Sequence, residues 1–429
     1  MQAEDAASGD RPLPSRMSIA AVLIANGLLR IANSAGGALI GFYLAHLAKT
    51  GVHADATLVG SLGAVTSAAE LLMALPMGAL ADRYAPRMLL LGGALLGGLA
   101  TQIFGITHLI ALFFLSRALE GIAAAASTSP LLAHLADATR SRPVFRGKVM
   151  GGYELSLLCG LALGALVGGT LWEQMRTHAF SLLAGVYLLA GVLFYAGANA
   201  PHTSRPASSS TAGLRQAWAD PLLRKLAPAW IAMTAMAGMW LTHITYQLSG
   251  PSAPGQYLVG RFSPREVGVI LLGYALVFAA GVTIWSFVLA RMARLKALRI
   301  TLTAMLIASL WLTLLNHSAG VSVGVRGFLL ALAALSVLVE SGFTPTALAY
   351  LADIADQGEG RGSAMGIYSL LLGIGSVLGA FLGGLLAHAL AFDGLLVGTA
   401  VLVLLALFLL PSESNPRNYG ISPPQTIRH

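Results

Sequence analysis

A small set of ionisable and polar side chains stands inside long apolar runs. Arg30, Glu70, Arg117, Glu120, His243 and Glu340 are the charged or titratable members, with Asn33, Tyr246 and Gln247 close to them in sequence. A charge facing hydrocarbon is costly by a few kcal/mol or more, so each of these must face protein or water. Placed there, such groups can move protons or hold a charged solute. Arg117 and Glu120 are three residues apart and share a helix face, so they can pair. A carboxyl group in a dry cavity holds its proton more tightly, which suits a proton carrier. Glu120 and Glu340 are carboxyl groups of this kind. Arg30 reads as the partner of one of these carboxylates or of an anionic substrate. Asn33, Glu70, His243, Tyr246 and Gln247 need the same shelter from hydrocarbon. The structural alternative is a salt-bridge network that only holds helices together, and for any single residue the two readings weigh about equally.

The elements that must position these residues are membrane helices. Of 429 residues, 56% are hydrophobic and only 10% charged, against roughly 25% charged in soluble domains. The apolar residues come in runs long enough for a bilayer, which takes about 20 residues per helix. Spans are expected within 17–47 and near 57–81, 88–107, 109–136, 149–172 and 178–199. A Ser/Ala/Pro-rich polar stretch follows, and then runs near 227–249, 266–290, 297–316, 327–352, 363–390 and 392–411. The chain therefore divides into an N-terminal tail over 1–16, a six-helix bundle over 17–200 and a linker over 201–226. A second six-helix bundle covers 227–411 and a C-terminal tail covers 412–429.

The two bundles are related. RGKVMGGYELSLLCGLALGALVGG, from Arg146 to Gly169, aligns without gaps with RGSAMGIYSLLLGIGSVLGAFLGG, from Arg361 to Gly384. Tyr153 meets Tyr368, Gly160 meets Gly375, Gly164 meets Gly379, and Gly168-Gly169 meets Gly383-Gly384. A repeat at this spacing outranks any single motif. Gly160, Gly164 and Gly168 recur every four residues, a stripe that lets helices approach closely. Gly151, Gly160, Gly164, Gly168, Gly169, Gly375, Gly379, Gly383 and Gly384 are accordingly expected to pack helices.

Orientation follows from basic residues, which crowd the cytoplasmic side of membrane proteins. One set of loops receives Arg83, Arg87, Arg140, Arg142, Arg146, Lys148, Arg291, Arg294 and Lys296, among others. The opposite set receives Lys49, Arg176, Arg261, Arg265 and Arg326. Both tails fall on the crowded side, so both termini are expected in the cytoplasm. The net charge of +8 is thereby explained without nucleic acid. Cys159 is the single cysteine, which excludes an intramolecular disulfide and a cysteine metal site. No P-loop, metal-ligand cluster or dinucleotide fingerprint is present, so neither an ATP-driven pump nor an enzyme is expected, and no metal or cofactor.

Three stretches resemble signatures of the major facilitator superfamily. Gly78 to Arg87, GALADRYAPR, is similar to the loop signature G-x-L-a-D-R-x-G-R-K, with Asp82, Arg83 and Arg87 matching and Ala85 and Pro86 departing. It implies a conformational latch built from Gly78, Asp82, Arg83 and Arg87; the structural alternative is a tight loop whose charge fixes topology. Arg117 to Gly121 resembles R-x-x-q-G, with Glu120 at the Gln position, and implies a role for Arg117 in proton transfer. Gly151 to Gly169 is similar to G-x8-G-x3-G-P-x2-G-G of antiporters, with Ala165 where proline stands; Ala380 replaces it in the second copy too. The resemblance implies an all-α fold of twelve transmembrane helices in two pseudo-symmetric six-helix bundles. In it, the first, fourth, seventh and tenth spans line the cavity, which implies a substrate cavity of Arg30, Asn33, Glu70, His243, Tyr246 and Gln247 and proton coupling by Glu120 and Glu340, with Arg117 tuning Glu120. It further implies secondary transport by alternating access, with proton-coupled efflux of a small organic solute as the leading expectation. Proton-linked uptake of an anionic metabolite is the alternative, and a transporter-shaped sensor or assembly protein a third. The expected partners are a small-molecule substrate, protons and the lipid bilayer of a bacterial inner membrane, with the chain acting as a monomer.

Overall fold

The computed structural model describes residues 16–139, 143–198, 221–289, 291–355 and 361–410. Within these, the side chains of Arg16, Asp82, 143–144, 221–223, Lys225, 351–355 and 361–368 are outside the description. The tails, most of the expected linker, Arg140 and Arg142 lie outside the described residues.

Thirteen helices make up the described chain. In the first half they are α1 (Arg16–Lys49), α2 (Ala56–Arg83), α3 (Pro86–Ile106), α4 (Ile110–Ala138), α5 (Pro143–Met175) and α6 (His178–Gly197). In the second they are α7 (Pro221–Ser249), α8 (Pro264–Val288), α9 (Arg294–Asn316), α10 (Val323–Glu340), α11 (Phe343–Ala355), α12 (Arg361–Leu390) and α13 (Phe392–Leu409). Local chemistry sets several starts. Asp55 caps α2 by accepting from the Leu58 amide at 2.9 Å. Ser263 and Glu266 form a reciprocal capping box at α8, with Pro264 in the first turn. Pro86, which departs from the expected basic residue, opens α3, where its missing N–H leaves no bond unmade.

Among the described residues, eleven stretches are long and apolar enough to cross a bilayer; α7 is the twelfth span and falls short in apolar character. It carries Thr234, Thr242, His243, Thr245, Tyr246 and Gln247. It can afford them because α1, α2, α12 and α13 pack around it, which keeps those groups from lipid. Its first turns occupy residues 221–226, which the sequence reading assigned to the linker.

The expected tenth span is two helices. α10 ends at Glu340 and α11 begins at Phe343. Pro345 has no N–H to offer the Ser341 carbonyl, so the helical ladder fails there. Ser341 Oγ folds back to the Leu338 carbonyl at 2.9 Å. Gly342 lies flat against the Trp285 indole of α8, where a Cβ would collide with the ring.

Packing repeats between halves. α1 packs on α5 and α6 as α7 packs on α12 and α13; α3 packs on α4 and α6 as α9 packs on α10 and α13. Gly160, Gly164 and Gly168 of α5 lie against Arg30, Ser34 and Ala35 of α1. In the other half, Gly375, Gly379 and Gly383 of α12 lie against Thr234, Ala235 and Met239 of α7. The second glycine of each terminal pair does something different. Gly169 meets Pro264 and Arg265 of α8, and Gly384 meets Ala56 and Gly60 of α2, so both cross to the opposite half. Gly151 has nothing within contact distance.

Candidate functional site

We call the end of the bundle where α1 finishes and α2 begins the distal end. The halves meet through α2 on α12, α5 on α8, and α1 on α7. Bonds across that junction cluster distally. The Tyr246 hydroxyl donates to the Ala54 carbonyl at 2.8 Å. The Arg265 amide donates to Glu173 Oε1 at 3.0 Å, and His388 Nδ1 lies 3.2 Å from Asp55 Oδ2. Gly41 against Thr245 and Gly63 against Thr242 close the same end. By contrast, α4 and the α10–α11 span, which carry Glu120 and Glu340, are not among the helix pairs packed across the junction. We take the gap between these two spans as the candidate cleft, which the contacts above close at its distal end.

The N-terminal wall of this cleft holds a charged cluster. Arg30 is halfway along α1, fixed where Gly160 lets α5 touch its backbone. Its Nη2 donates to Thr128 Oγ1 of α4 at 3.2 Å, and Tyr153 of α5 lies within electrostatic reach of it. Its Nε is buried without a partner. Arg117 and Glu120 form an ion pair through Nη1 and Oε2, with 13% and 12% of their side chains exposed. That degree of burial keeps the pair out of bulk solvent, so its attraction is weakly screened. Gly121, the next residue, sits against the backbone of Thr66 and Glu70, so α2 and α4 touch at the level of both carboxylates. Glu70 is exposed and lies within electrostatic reach of Arg30 and Glu120. A carboxylate exposed at that depth and surrounded by charge faces the cleft rather than lipid. Asn33 Oδ1 accepts from the Tyr187 hydroxyl of α6 at 3.4 Å, and Tyr187 lies within electrostatic reach of Glu120, Arg117 and Arg30, so both stand beside these charges. Arg30, Glu70, Arg117 and Glu120 thus come together from three helices.

The C-terminal wall is different. Glu340 stands at the last residue of α10, beside the break, and no ion pair or hydrogen bond to it occurs among the described residues. His243 is fully buried, its Nε2 3.0 Å from the Ala380 carbonyl and its Nδ1 without a partner. Tyr246 belongs to the distal seal, and Gln247 is buried one residue further along α7. None of these three joins the Arg30 cluster.

At the proximal end, Gly78 stands in open space and Arg83 is exposed in the last turn of α2. Asp82 is in that same turn, and its side chain is outside the description. Arg87 stacks over the Tyr195 ring of α6 at 5.4 Å, so it is engaged with its own half. Thr128, Tyr187, Tyr274 and Phe278 are additions that sequence reasoning missed. Tyr153 had a signal, since it recurs as Tyr368 in the repeat.

The profile of the family described as Major Facilitator Superfamily matches residues 27–260 and again 235–426. The chain belongs to the major facilitator superfamily. The double match mirrors the two halves of this multi-pass helical chain. The inner membrane transport protein YajR of Escherichia coli (strain K12) is 24% identical over 363 residues, 83% of this chain and 74% of that one. Multidrug resistance protein 1 of Bacillus subtilis (strain 168) is 29% identical over 142 residues, 33% of this chain and only 36% of that relative's length. Among solved structures, the nucleoside transporter NupG superposes with a TM-score of 0.73 at 14% identity, over 91% of this chain and 98% of that one. At that identity the likeness concerns the superfamily fold alone.

Proposed function

We propose that this transporter exports a small organic solute across a bacterial inner membrane in exchange for protons, with both termini in the cytoplasm. The observation that carries the reading is the meeting of Arg30, Glu70, Arg117 and Glu120 at mid-membrane depth beside a cleft shut at its distal end. With the crowded basic loops placed inside, that mouth faces outward, and the cleft opens to the cytoplasm, where an exported solute must enter. Proton exchange needs a carboxylate that can trade its partner. Glu120 has one in Arg117, and loading a proton onto Glu120 would free that arginine and unbalance the wall. Glu70, beside Arg30, is placed to take part. The distal contacts through Tyr246, Gly169 and Gly384 then part as the halves rock and the proximal ends close. The names of relatives such as Multidrug resistance protein 1 favour export over uptake.

The test is proton movement in proteoliposomes carrying an internal pH dye, comparing wild type with Glu120→Gln across organic cations and anions. Export coupled to protons predicts that an added compound drives protons out of the lumen with wild type only. Protons drawn in together with the compound would make the protein a symporter and overturn the direction proposed.

A further inference from the structure

Among the described residues the C-terminal wall has a carboxylate and no counter-ion, and it has rings. Tyr274, Phe278 and Gly281 fall four and three residues apart on α8 and so share one face. Gly281 fixes where that face points, because it lies against Leu338 and Ser341 on either side of Glu340. Tyr274 is within electrostatic reach of Glu340. The two rings are 5.9 Å apart at 34° and form a continuous slab. Tyr274 is 41% exposed, and a tyrosine beside an unpaired carboxylate at this depth opens to the cleft, since the carboxylate cannot face lipid. A negative group with aromatic faces beside it is the arrangement that attracts an organic cation, through charge and through the negative face of each ring. An anion would meet Glu340 with no basic residue to offset it, and a polyhydroxyl solute would find few hydrogen-bonding groups on this wall.

The geometry points to Glu340, Tyr274 and Phe278 as a subsite for the cationic, aromatic part of the transported solute. This rests on the export reading and adds to it a substrate class and a division of labour. Substrate charge is held by the C-terminal wall, while the Arg30–Glu70–Arg117–Glu120 cluster on the opposite wall handles protons.

Tetraphenylphosphonium and tetraphenylborate test this, because they share size and shape and differ in charge. Binding is measured on purified full-length protein in detergent, without any gradient, so the result does not depend on coupling. Wild type should bind the phosphonium. Glu340→Gln should weaken that binding by about tenfold and leave the borate unweakened. Tyr274→Leu and Phe278→Leu should each weaken the phosphonium by roughly 3–10-fold, as expected for loss of one ring face. Tyr274→Phe should bind as wild type, which separates the ring from the hydroxyl. Phe408→Leu, on a lipid-facing ring 86% exposed, serves as the folding control and should change nothing. Phosphonium binding that survives Glu340→Gln and both leucine variants, in protein with wild-type melting temperature, overturns the subsite. Equal or tighter borate binding lost in the same variants also overturns it. In either case, substrate-driven proton exchange in proteoliposomes would still stand or fall separately.

Discussion

The two halves share a backbone plan and differ in chemistry. Gly160, Gly164 and Gly168 press α5 onto α1 just as Gly375, Gly379 and Gly383 press α12 onto α7. Yet the wall beside α1 is a partnered network, with Arg30 held by Thr128 and Arg117 by Glu120. Among the described residues the wall beside α7 has an unpartnered carboxylate, Glu340, at a helix break that has no counterpart in α4. Duplication kept what packing demands. Charge placement, which packing does not dictate, was free to diverge. Hence the repeat predicts where helices touch and says little about which half binds and which half carries protons.

The largest effect should come from splitting the partnered wall. Arg117→Gln leaves Glu120 as a mostly buried carboxylate without its counter-charge. Removing one member of such a pair destabilises by about 3–5 kcal/mol, because the remaining charge is uncompensated. A drop in melting temperature and loss of proton exchange are expected together. The double variant Arg117→Gln/Glu120→Gln should recover most of the stability without recovering exchange. Were the pair only a helix pin, the double variant would recover both. Glu340→Gln, on the unpartnered wall, should not lower the melting temperature at all, since it removes a charge that nothing balances.

Much of the fold was legible because its signals are long: twelve apolar runs, and a glycine stripe written twice. Two things were not. Apolar run length alone hid the break after Glu340, because Ser341-Gly342 and Pro345 interrupt the ladder without interrupting the hydrophobicity. Individual side-chain directions were also hidden. His243, Tyr246 and Gln247 look alike as polar residues within the outer part of one span. The first is buried against the Ala380 carbonyl and the second closes the distal mouth, distinctions of helix phase and neighbour that only packing supplies. Arg117 and Glu120 were readable as a pair because both partners lie on one helix at fixed spacing. Arg30 and Glu70 lie on different helices, and their proximity needed the fold.

An intermediate effect should follow from the glycines that cross between halves. Gly384→Val places a branched side chain where Ala56 and Gly60 of α2 pass, so the distal mouth cannot close as it does here. Spin labels at positions 49 and 252, both exposed and on opposite halves, with Cys159→Ser as background, should report a longer distance. Solute exchange should fall several-fold. Gly151→Val is the contrast within the same signature. Nothing lies within contact distance of Gly151, so distance and exchange should both match wild type. If the two variants behaved alike, the comparison between crossing and non-crossing glycines would fail.

The smallest effect separates the seal from the walls. Tyr246→Phe removes the hydroxyl that donates to the Ala54 carbonyl and keeps the ring in place. A hydrogen bond of this kind contributes about 1 kcal/mol, so the closed distal mouth should lose roughly fivefold in population relative to the open one. Such a shift changes how often the site faces each side without touching any group that binds solute or proton. Affinity for a bound cation measured from the closed form should therefore hold, while the labelled distance distribution broadens towards longer values. A loss of cation affinity in Tyr246→Phe, with the distance distribution unchanged, would place Tyr246 on the binding wall beside Glu340 rather than in the seal. The contrast between a binding C-terminal wall and a separate distal closure would then have to be redrawn.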